Sequence, residues 1–374
     1  MVSSMLNGWA LIYLIEQLIN IFSKKRHSKN LMETIAYFDA SHDMPEEVIA
    51  AAGFVPYKIL GNVHVSNDPA DRYLPAFFCP AARSMLTEAL AKTGQWAGIV
   101  IAQGCNATNR HHDVWKRHVR TPFLHWFNTP LKDDVPAVRF MKTELWRLVD
   151  ALYRQFGILV NEAMLADACR ESNTIKKKLQ VFSGLRMEKD ITNREYLEVL
   201  VKSMTLPKPE AIKEIDAAIA TMKNRGPFPA DKIKVLLTGS DVTYPELMEQ
   251  IDEAGFRVVR DDLSIGERYF ATLIPEEENP FEALARYYLS IPKPATKLGL
   301  SKRAQYLETA LEQSGIRAVI SQCLKFCEPY AYDAVLVNNA LKEKGCRVLH
   351  VEREYTPTPD NQMATRLAAF AEME

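Results

Sequence analysis

The amino-acid sequence predicts an α/β protein of two lobes with parallel sheets, joined by a helical segment and preceded by an N-terminal helix. Short apolar runs alternate with helical patterns over most of the 374 residues, which is typical of βαβ units in a parallel sheet. From about Ala137 to Lys223 the pattern is almost purely helical. At roughly 150 residues per domain, the length also favours two or three domains.

The predicted strands fall into two groups of four, one on each side of the helical stretch. They are Thr34–Phe38, Phe54–Leu60, Gly98–Gln103 and Phe123–Phe127, then Lys234–Thr238, Phe256–Val259, Ala318–Ser321 and Arg347–Val351. Helical patterns between them cover Pro45–Ala52, Ala81–Ala91, Tyr244–Ala254 and Tyr330–Lys344. We therefore expect two flavodoxin- or Rossmann-like lobes at residues 31–136 and 229–374, with a helical linker or cap at 137–228.

The N-terminal 30 residues begin with an apolar stretch, Met5 to Phe22, which three basic residues follow. A secretory signal has the opposite order, with its positive charge first. Glu16, Gln17 and Asn20 also interrupt a run that is short for a membrane span. We expect an amphipathic helix at 1–30 that docks on the body or a partner, with anchoring at a membrane surface as the alternative, and no transmembrane segment.

The composition excludes several classes of protein. A hydrophobic content of 47% excludes disorder, and 46 basic against 47 acidic residues leave no field for nucleic acid. Six cysteines without a CxxC pair indicate reduced thiols in a cytoplasmic protein. The chain has no GxxxxGK[ST], GxGxxG, GxSxG or HExxH motif, so it carries no recognisable nucleotide-hydrolysis or dinucleotide motif of its own.

Three cysteines stand where predicted strands end or predicted helices begin. Cys105 follows the third strand directly, Cys327 follows the seventh after a short loop, and Cys79 precedes Pro80, a favoured first residue of a helix. Ligands of open α/β sheets sit beyond the carboxyl ends of strands, and helix N-termini stabilise anionic sulfur. Three such thiolates could hold a cubane cluster with one open iron. The alternative for each is a small buried side chain.

The remaining cysteines and polar clusters are weaker candidates. Cys169 and Cys346 are expected in the core, and Cys323 is expected to be buried or to support Cys327. The loop Asp39–Asp43 fits a helix-capping loop, with a place in the cleft as the alternative.

Two further pairs of polar residues are candidates, one at the start of the helix after the Cys105 loop and one after a predicted strand. His111 and His112 are expected to be solvated or to face a substrate, because their spacing matches no zinc site. The pair Asp261-Asp262 fits a helix cap with a solvated neighbour, with a metal or acid–base site as the alternative.

Six short segments between residues 44 and 370 occur in the order of a known protein family. They are Met44–Pro56, Cys79-Pro80 with Arg83-Ser84, Gly104-Cys105, Val258–Asp262 with Gly266 and Arg268, Lys325–Pro329, and Gln362–Phe370. Together they resemble the subunits of 2-hydroxyacyl-CoA dehydratases and benzoyl-CoA reductases. The resemblance runs from about residue 35 to the C-terminus.

This resemblance implies a [4Fe–4S] cluster held between two α/β lobes by Cys79, Cys105 and Cys327. It implies a heterodimer with a related iron–sulfur subunit and a separate ATP-hydrolysing iron–sulfur activator, which accounts for the missing phosphate loop. The implied reaction removes water from an (R)-2-hydroxyacyl-CoA through a ketyl radical formed by low-potential one-electron reduction. Ser41 would match a substrate-contacting serine of the family.

Two alternatives remain beside the dehydratase. One is a reductase subunit on the same scaffold, of the benzoyl-CoA or double-cubane type, and the other is a metal-free α/β assembly subunit. Ser264 and Lys293 occupy regions where double-cubane relatives carry extra cysteines, and Leu60-Gly61-Asn62 stands where catalytic subunits carry an acidic residue. The chain would then be either the substrate-binding or the electron-relay subunit. Three cations are interpreted as surface or structural residues, with contacts to the phosphates of CoA as the alternative, namely Arg83, Lys116 and Arg268.

Overall fold

The structure is a computed structural model that describes residues 33–40, 43–276 and 279–373. The predicted N-terminal helix at 1–30 and the candidate residue Ser41 lie outside these ranges. In the described residues the predicted fold class is confirmed, since the chain forms two four-stranded parallel sheets with helices around them. None of the described helices is long and apolar enough to cross a membrane.

The first sheet has its strands in the order β2-β1-β3-β4. They are β1 (Thr34–Phe38), β2 (Val55–Lys58), β3 (Gly98–Ala102) and β4 (Leu124–Phe127). Strands β1 and β3 are apolar along almost their whole length because both faces of the sheet are covered. The helices of this lobe are α1 (Glu46–Ala51), α2 (Asp68–Asp71), α3 (Pro80–Lys92) and α4 (Asn106–His118).

Four consecutive helices connect the two sheets. They are α5 (Val135–Phe156), α6 (Glu162–Leu185), α7 (Asn193–Thr205) and α8 (Lys208–Lys223). Side-chain caps define where they begin: the Asp134 carboxylate accepts a hydrogen bond from Ala137 N at 3.0 Å, and Thr192 and Glu195 form a reciprocal capping box. The residue boundaries predicted for the separate lobes and linker stay a prediction.

The second sheet repeats the arrangement of the first, with the strand order β6-β5-β7-β8. Its strands are β5 (Ile233–Gly239), β6 (Phe256–Asp262), β7 (Ala318–Leu324) and β8 (Arg347–Arg353). Strands β6 and β7 run three residues further than predicted, so that Asp261-Asp262 and Cys323 lie within them. The accompanying helices are α9 (Pro245–Glu253), α10 (Glu267–Phe270), α11 (Pro280–Ser290), α12 (Leu300–Ser314), α13 (Glu328–Glu343) and α14 (Asn361–Ala371).

Two buried glutamates at the start of α1 join the first lobe to the helical segment and to the second lobe. Glu46 accepts hydrogen bonds from Tyr37 Oη at 2.7 Å, Lys208 Nζ at 2.6 Å and Tyr269 Oη at 2.8 Å. Its neighbour Glu47 makes equivalent contacts with Ser172, Lys176 and Tyr288. Because both carboxylates are buried and paired, these contacts resist separation of the parts they join.

Candidate functional site

Each of the three candidate cysteines caps the N-terminus of a helix. Cys79 precedes α3. Cys105 precedes α4 and lies three residues after the end of β3, and Cys327 precedes α13 and lies three residues after the end of β7. A proline in the first turn of α3 and of α13 fixes the backbone where the helix starts. First-turn amides of α3 and α13 donate to the sulfurs of Cys79 and Cys327.

The three thiols are close enough for their charges to interact. Burial, and after it the neighbouring thiols of Cys327 and Cys105, raise the pKa of Cys79 to about 12. Burial also raises the pKa of Cys327, to which Cys105 contributes. The backbone amides of Ala81 and Ala82 oppose this effect by donating to Cys79. Three thiols from the two lobes thus lie within range of one another's charge, and we call this group the cysteine site.

Ser240, which the sequence analysis did not identify, supports the sulfur of Cys327. It follows β5, is buried, and accepts a hydrogen bond from Leu324 N at 3.1 Å through its Oγ. Its side chain also hydrogen-bonds the thiols of Cys327 and Cys323. Since the hydroxyl already accepts from Leu324, its proton remains for a sulfur acceptor.

Gly239 brings Ser240 to this position. Its φ is +124°, and a Cβ atom placed there would lie 1.7 Å from the backbone oxygen of Gln322 on β7. Only glycine permits this close approach of the two strands. In the sequence, the Gly-Ser-Asp segment at the end of a buried strand was the signal that could have pointed to this contact.

The cysteine site offers three thiols, which are the donor type of iron–sulfur clusters, and they are not grouped as the ligands of a single ion. Among the described residues, no three His, Cys, Asp or Glu side chains are grouped so that one metal ion could be held. In a cubane each thiolate binds a different iron, so the sulfurs stand further apart than the ligands of one ion. Burial and the neighbouring thiols raise the pKa of Cys79 and of Cys327, so a cationic centre would favour the ionised form of both.

The expected environments of Asp261 and Asp262 are wrong in one respect. Asp261 does cap α10, since its Oδ1 accepts from Glu267 N at 2.8 Å, but Asp262 is fully buried and not solvated. Asp262 lies 2.9 Å from the guanidinium of Arg303 and 3.6 Å from that of Arg268. These buried cations compensate the carboxylate and allow β6 to extend to its acidic end. Arg268 is accordingly structural.

His111 also differs from expectation. It is fully buried on α4, its Nε2 lies 2.9 Å from Ala82 O, and burial lowers its pKa to about 4. It therefore helps to position α3 against α4, beside their two cysteines, and does not face solvent. His112 is half-buried, and its ring lies 4.9 Å from that of Trp126 in a tilted arrangement.

The segment after β1 contacts the proline-rich segment of the second lobe. Asp39 Oδ1 accepts a hydrogen bond from Asp43 N at 3.0 Å, but no side chain caps the start of α1, so the expected helix-capping loop is not found among the described residues. Asp43 lies 3.1 Å from Lys297 Nζ, and burial raises the pKa of Asp43 to about 6. Lys297 also donates to Pro130 O at 3.1 Å, beyond β4.

The other expected core residues are found where predicted. Cys169, Cys323 and Cys346 are buried, and Cys323 lies in β7 with its sulfur 3.7 Å from Cys327 O.

In the first lobe, the backbone amide of Gly61 donates to Glu88 at 2.8 Å, in the segment where the family's catalytic subunits were expected to differ.

The fold and the site define a two-lobed α/β protein with three cysteine thiols grouped near the ends of its sheets. A family model described as 2-hydroxyglutaryl-CoA dehydratase, D-component, matches residues 42–373. The chain therefore belongs to this family, and the predicted resemblance is confirmed.

Curated relatives resemble the chain over most of its length. It is 24% identical to the (R)-phenyllactyl-CoA dehydratase beta subunit of Clostridium sporogenes, with 88% of each chain covered. It is also 24% identical to the beta subunit of lactoyl-CoA dehydratase from Anaerotignum propionicum, covering 88% of this chain and 89% of the relative. A benzoyl-CoA reductase subunit of Thauera aromatica is 22% identical, with 76% of this chain and 77% of the relative covered.

Proposed function

We propose that this chain is an iron–sulfur subunit of a 2-hydroxyacyl-CoA dehydratase, with a [4Fe–4S] cluster on Cys79, Cys105 and Cys327. The observation that carries the proposal is that three cysteines from separate segments stand at helix starts, close enough for their charges to interact. The names of the beta-subunit relatives support the dehydratase reaction.

The chain's own residues would hold and shield the cluster. Cys79 and Cys105 come from the first lobe and Cys327 from the second, so the ligands would tie the lobes together. Ser240 and the first-turn amides would donate hydrogen bonds to the sulfurs, which stabilises the added negative charge of a reduced state. When bound, the cluster would supply a single low-potential electron to the thioester.

Two partners complete this proposal. A related iron–sulfur subunit would form the heterodimer, in keeping with the designation of the relatives as beta subunits. A separate ATP-hydrolysing activator would deliver the electron, because the sequence carries no phosphate-binding loop motif.

A reductase of the benzoyl-CoA type is the second candidate, favoured by the match to the benzoyl-CoA reductase of Thauera aromatica. A double-cubane type is less well supported, since Ser264 is fully buried beside Arg268 and the buried Lys293 contacts Leu289 O. No further cysteine occupies either position.

The test is the iron and acid-labile sulfide content of protein purified without oxygen. We expect about four irons and four sulfides per chain, which Cys327→Ser should lose and the matched control Cys346→Ser should keep, because Cys346 packs in an apolar core. Absence of iron after anaerobic reconstitution would refute the cluster and favour a metal-free assembly subunit. Activity toward 2-hydroxyacyl-CoA or aromatic CoA thioesters, measured with partner and activator, would separate the two enzyme classes.

A further inference from the structure

A groove on the described surface combines basic side chains with an exposed tryptophan. Two adjoining depressions of about 690 and 490 Å³ share Val138 and Arg286 in their walls. They lie among α5, α11, α12 and the proline-rich loop after α11. We call this surface the basic groove and define it by Arg139, Lys142, Trp146, Arg286, Lys293 and Lys302.

The charge of the basic groove favours a polyanionic ligand. Five basic and two acidic side chains line it, which leaves an excess of three positive charges in a protein whose net charge is −1. The two acids orient the cations: Glu282 lies 2.9 Å from Arg286 and 3.2 Å from Lys142, and Asp133 pairs with Lys302. Arginine and lysine held in this way are suited to phosphate recognition.

Trp146 adds an aromatic platform beside these cations. It is 44% exposed, and it is the one exposed tryptophan among those that the structure describes. One side of its indole is stacked on Phe281, with ring centroids 4.0 Å apart, which fixes the ring orientation. A nucleobase can stack on such a fixed, exposed ring.

The groove is linked along one loop to the cysteine site. Lys293 lies in the groove, and four residues later Lys297 contacts Pro130 O and Asp43 at the carboxyl edge of the first sheet. At the same edge, Thr129 Oγ1 donates to Gln103 O at 3.0 Å, two residues before Cys105. A ligand with a charged head in the groove and a long flexible arm would be directed along this loop.

We propose that the basic groove binds the nucleotide end of the acyl-CoA substrate, with adenine on Trp146 and the phosphates on Arg286, Lys293 and Lys302. Coenzyme A has this chemistry: an adenine, a 3′-phosphate, a diphosphate and a flexible arm that ends in the thioester. This inference rests on the proposed function, since it assumes that the chain contacts a CoA thioester. Coenzyme A carries phosphate at two places, the 3′-phosphate and the diphosphate. The cations that would bind them are likewise spread over α11, α12 and the loop between these helices.

Direct titration of the full chain with coenzyme A tests this assignment without turnover or a loaded cluster. Removing cations with Arg286→Gln and Lys302→Gln should each weaken binding about tenfold. Lys213→Gln, an equal charge change on the exposed face of α8, should leave it unchanged. Trp146→Ala should also weaken binding about tenfold, whereas Trp146→Phe should retain most of it because a ring remains.

The choice of ligand identifies what the groove recognises. Dephospho-coenzyme A should bind more weakly than coenzyme A, and pantetheine should not bind measurably. Equal affinity in all variants would overturn the groove assignment but leave the proposed function intact, since the chain would still bind CoA. Lack of binding by the unaltered chain, or tighter binding of ATP than of CoA, would also overturn it. Iron content and dehydration assays would then judge the function separately.

Discussion

Replacement of Glu46 by glutamine should destabilise the protein strongly, because this carboxylate compensates buried positive charge between the parts of the fold. Burial alone would raise its pKa, but Lys208 and Lys176 reverse the effect and lower it to about 2. Relative to its usual value of 4.5, this shift corresponds to about 3 kcal/mol of stability at neutral pH. Glu46→Gln leaves Lys208 buried without its charge partner, for an expected loss of about 3–5 kcal/mol.

The assay is denaturant unfolding of Glu46→Gln and the unaltered protein as a function of pH. A lowered carboxyl pKa contributes stability above pH 4.5 that is lost as the pH falls toward 2, so this part of the acid dependence should disappear in the variant. The double variant Glu46→Gln/Lys208→Met should recover part of the loss, since it removes both charges. A loss below about 1 kcal/mol, or an unchanged acid dependence, would refute this reasoning.

Three further predictions concern the second lobe and the helical segment. Gly239→Ala should lower the free energy of unfolding by about 3 kcal/mol or more, measured with denaturant, because the added Cβ would overlap the backbone of β7. The control Gly255→Ala, also at positive φ but with open space around it, should lower it by only about 1 kcal/mol. Ser240→Ala should lower the reduction potential of a reconstituted cluster, because it removes a hydrogen bond to Cys327. Redox titration measures this potential, and an unchanged value would argue against that hydrogen bond. Thr192→Ala should lose about 1 kcal/mol through its capping box, visible as a lower thermal midpoint, and an unchanged midpoint would contradict that role.

The strands were predictable because burial of both faces of a parallel sheet requires apolar runs. Gly98–Ala102 has no polar side chain, and its neighbours on both faces are apolar, so sequence and environment agree. The ends of β6 and β7 were not predictable in this way. Asp262 is compensated within the strand by Arg268 in the next helix and by Arg303 from the more distant α12.

The helix-starting positions of the cysteines were likewise predictable from local rules, since Pro80 after Cys79 marks a helix start. The role of Ser240 was not, because it depends on how closely β5 approaches β7. The prediction for His111 was wrong because a polar, histidine-rich sequence does not reveal which side chain turns inward. Residues whose environment comes from tertiary packing are the ones that sequence patterns describe least well.

Three helices that begin at one pocket have a consequence for assembly. The N-terminus of each helix carries roughly half a positive charge, so three like poles converge where Cys79, Cys105 and Cys327 meet. The three positive helix ends would repel one another across the junction of the two lobes. A cluster bound by thiolates is anionic, so it would attract all three helix ends. It would then help to hold the two lobes together, in addition to carrying electrons.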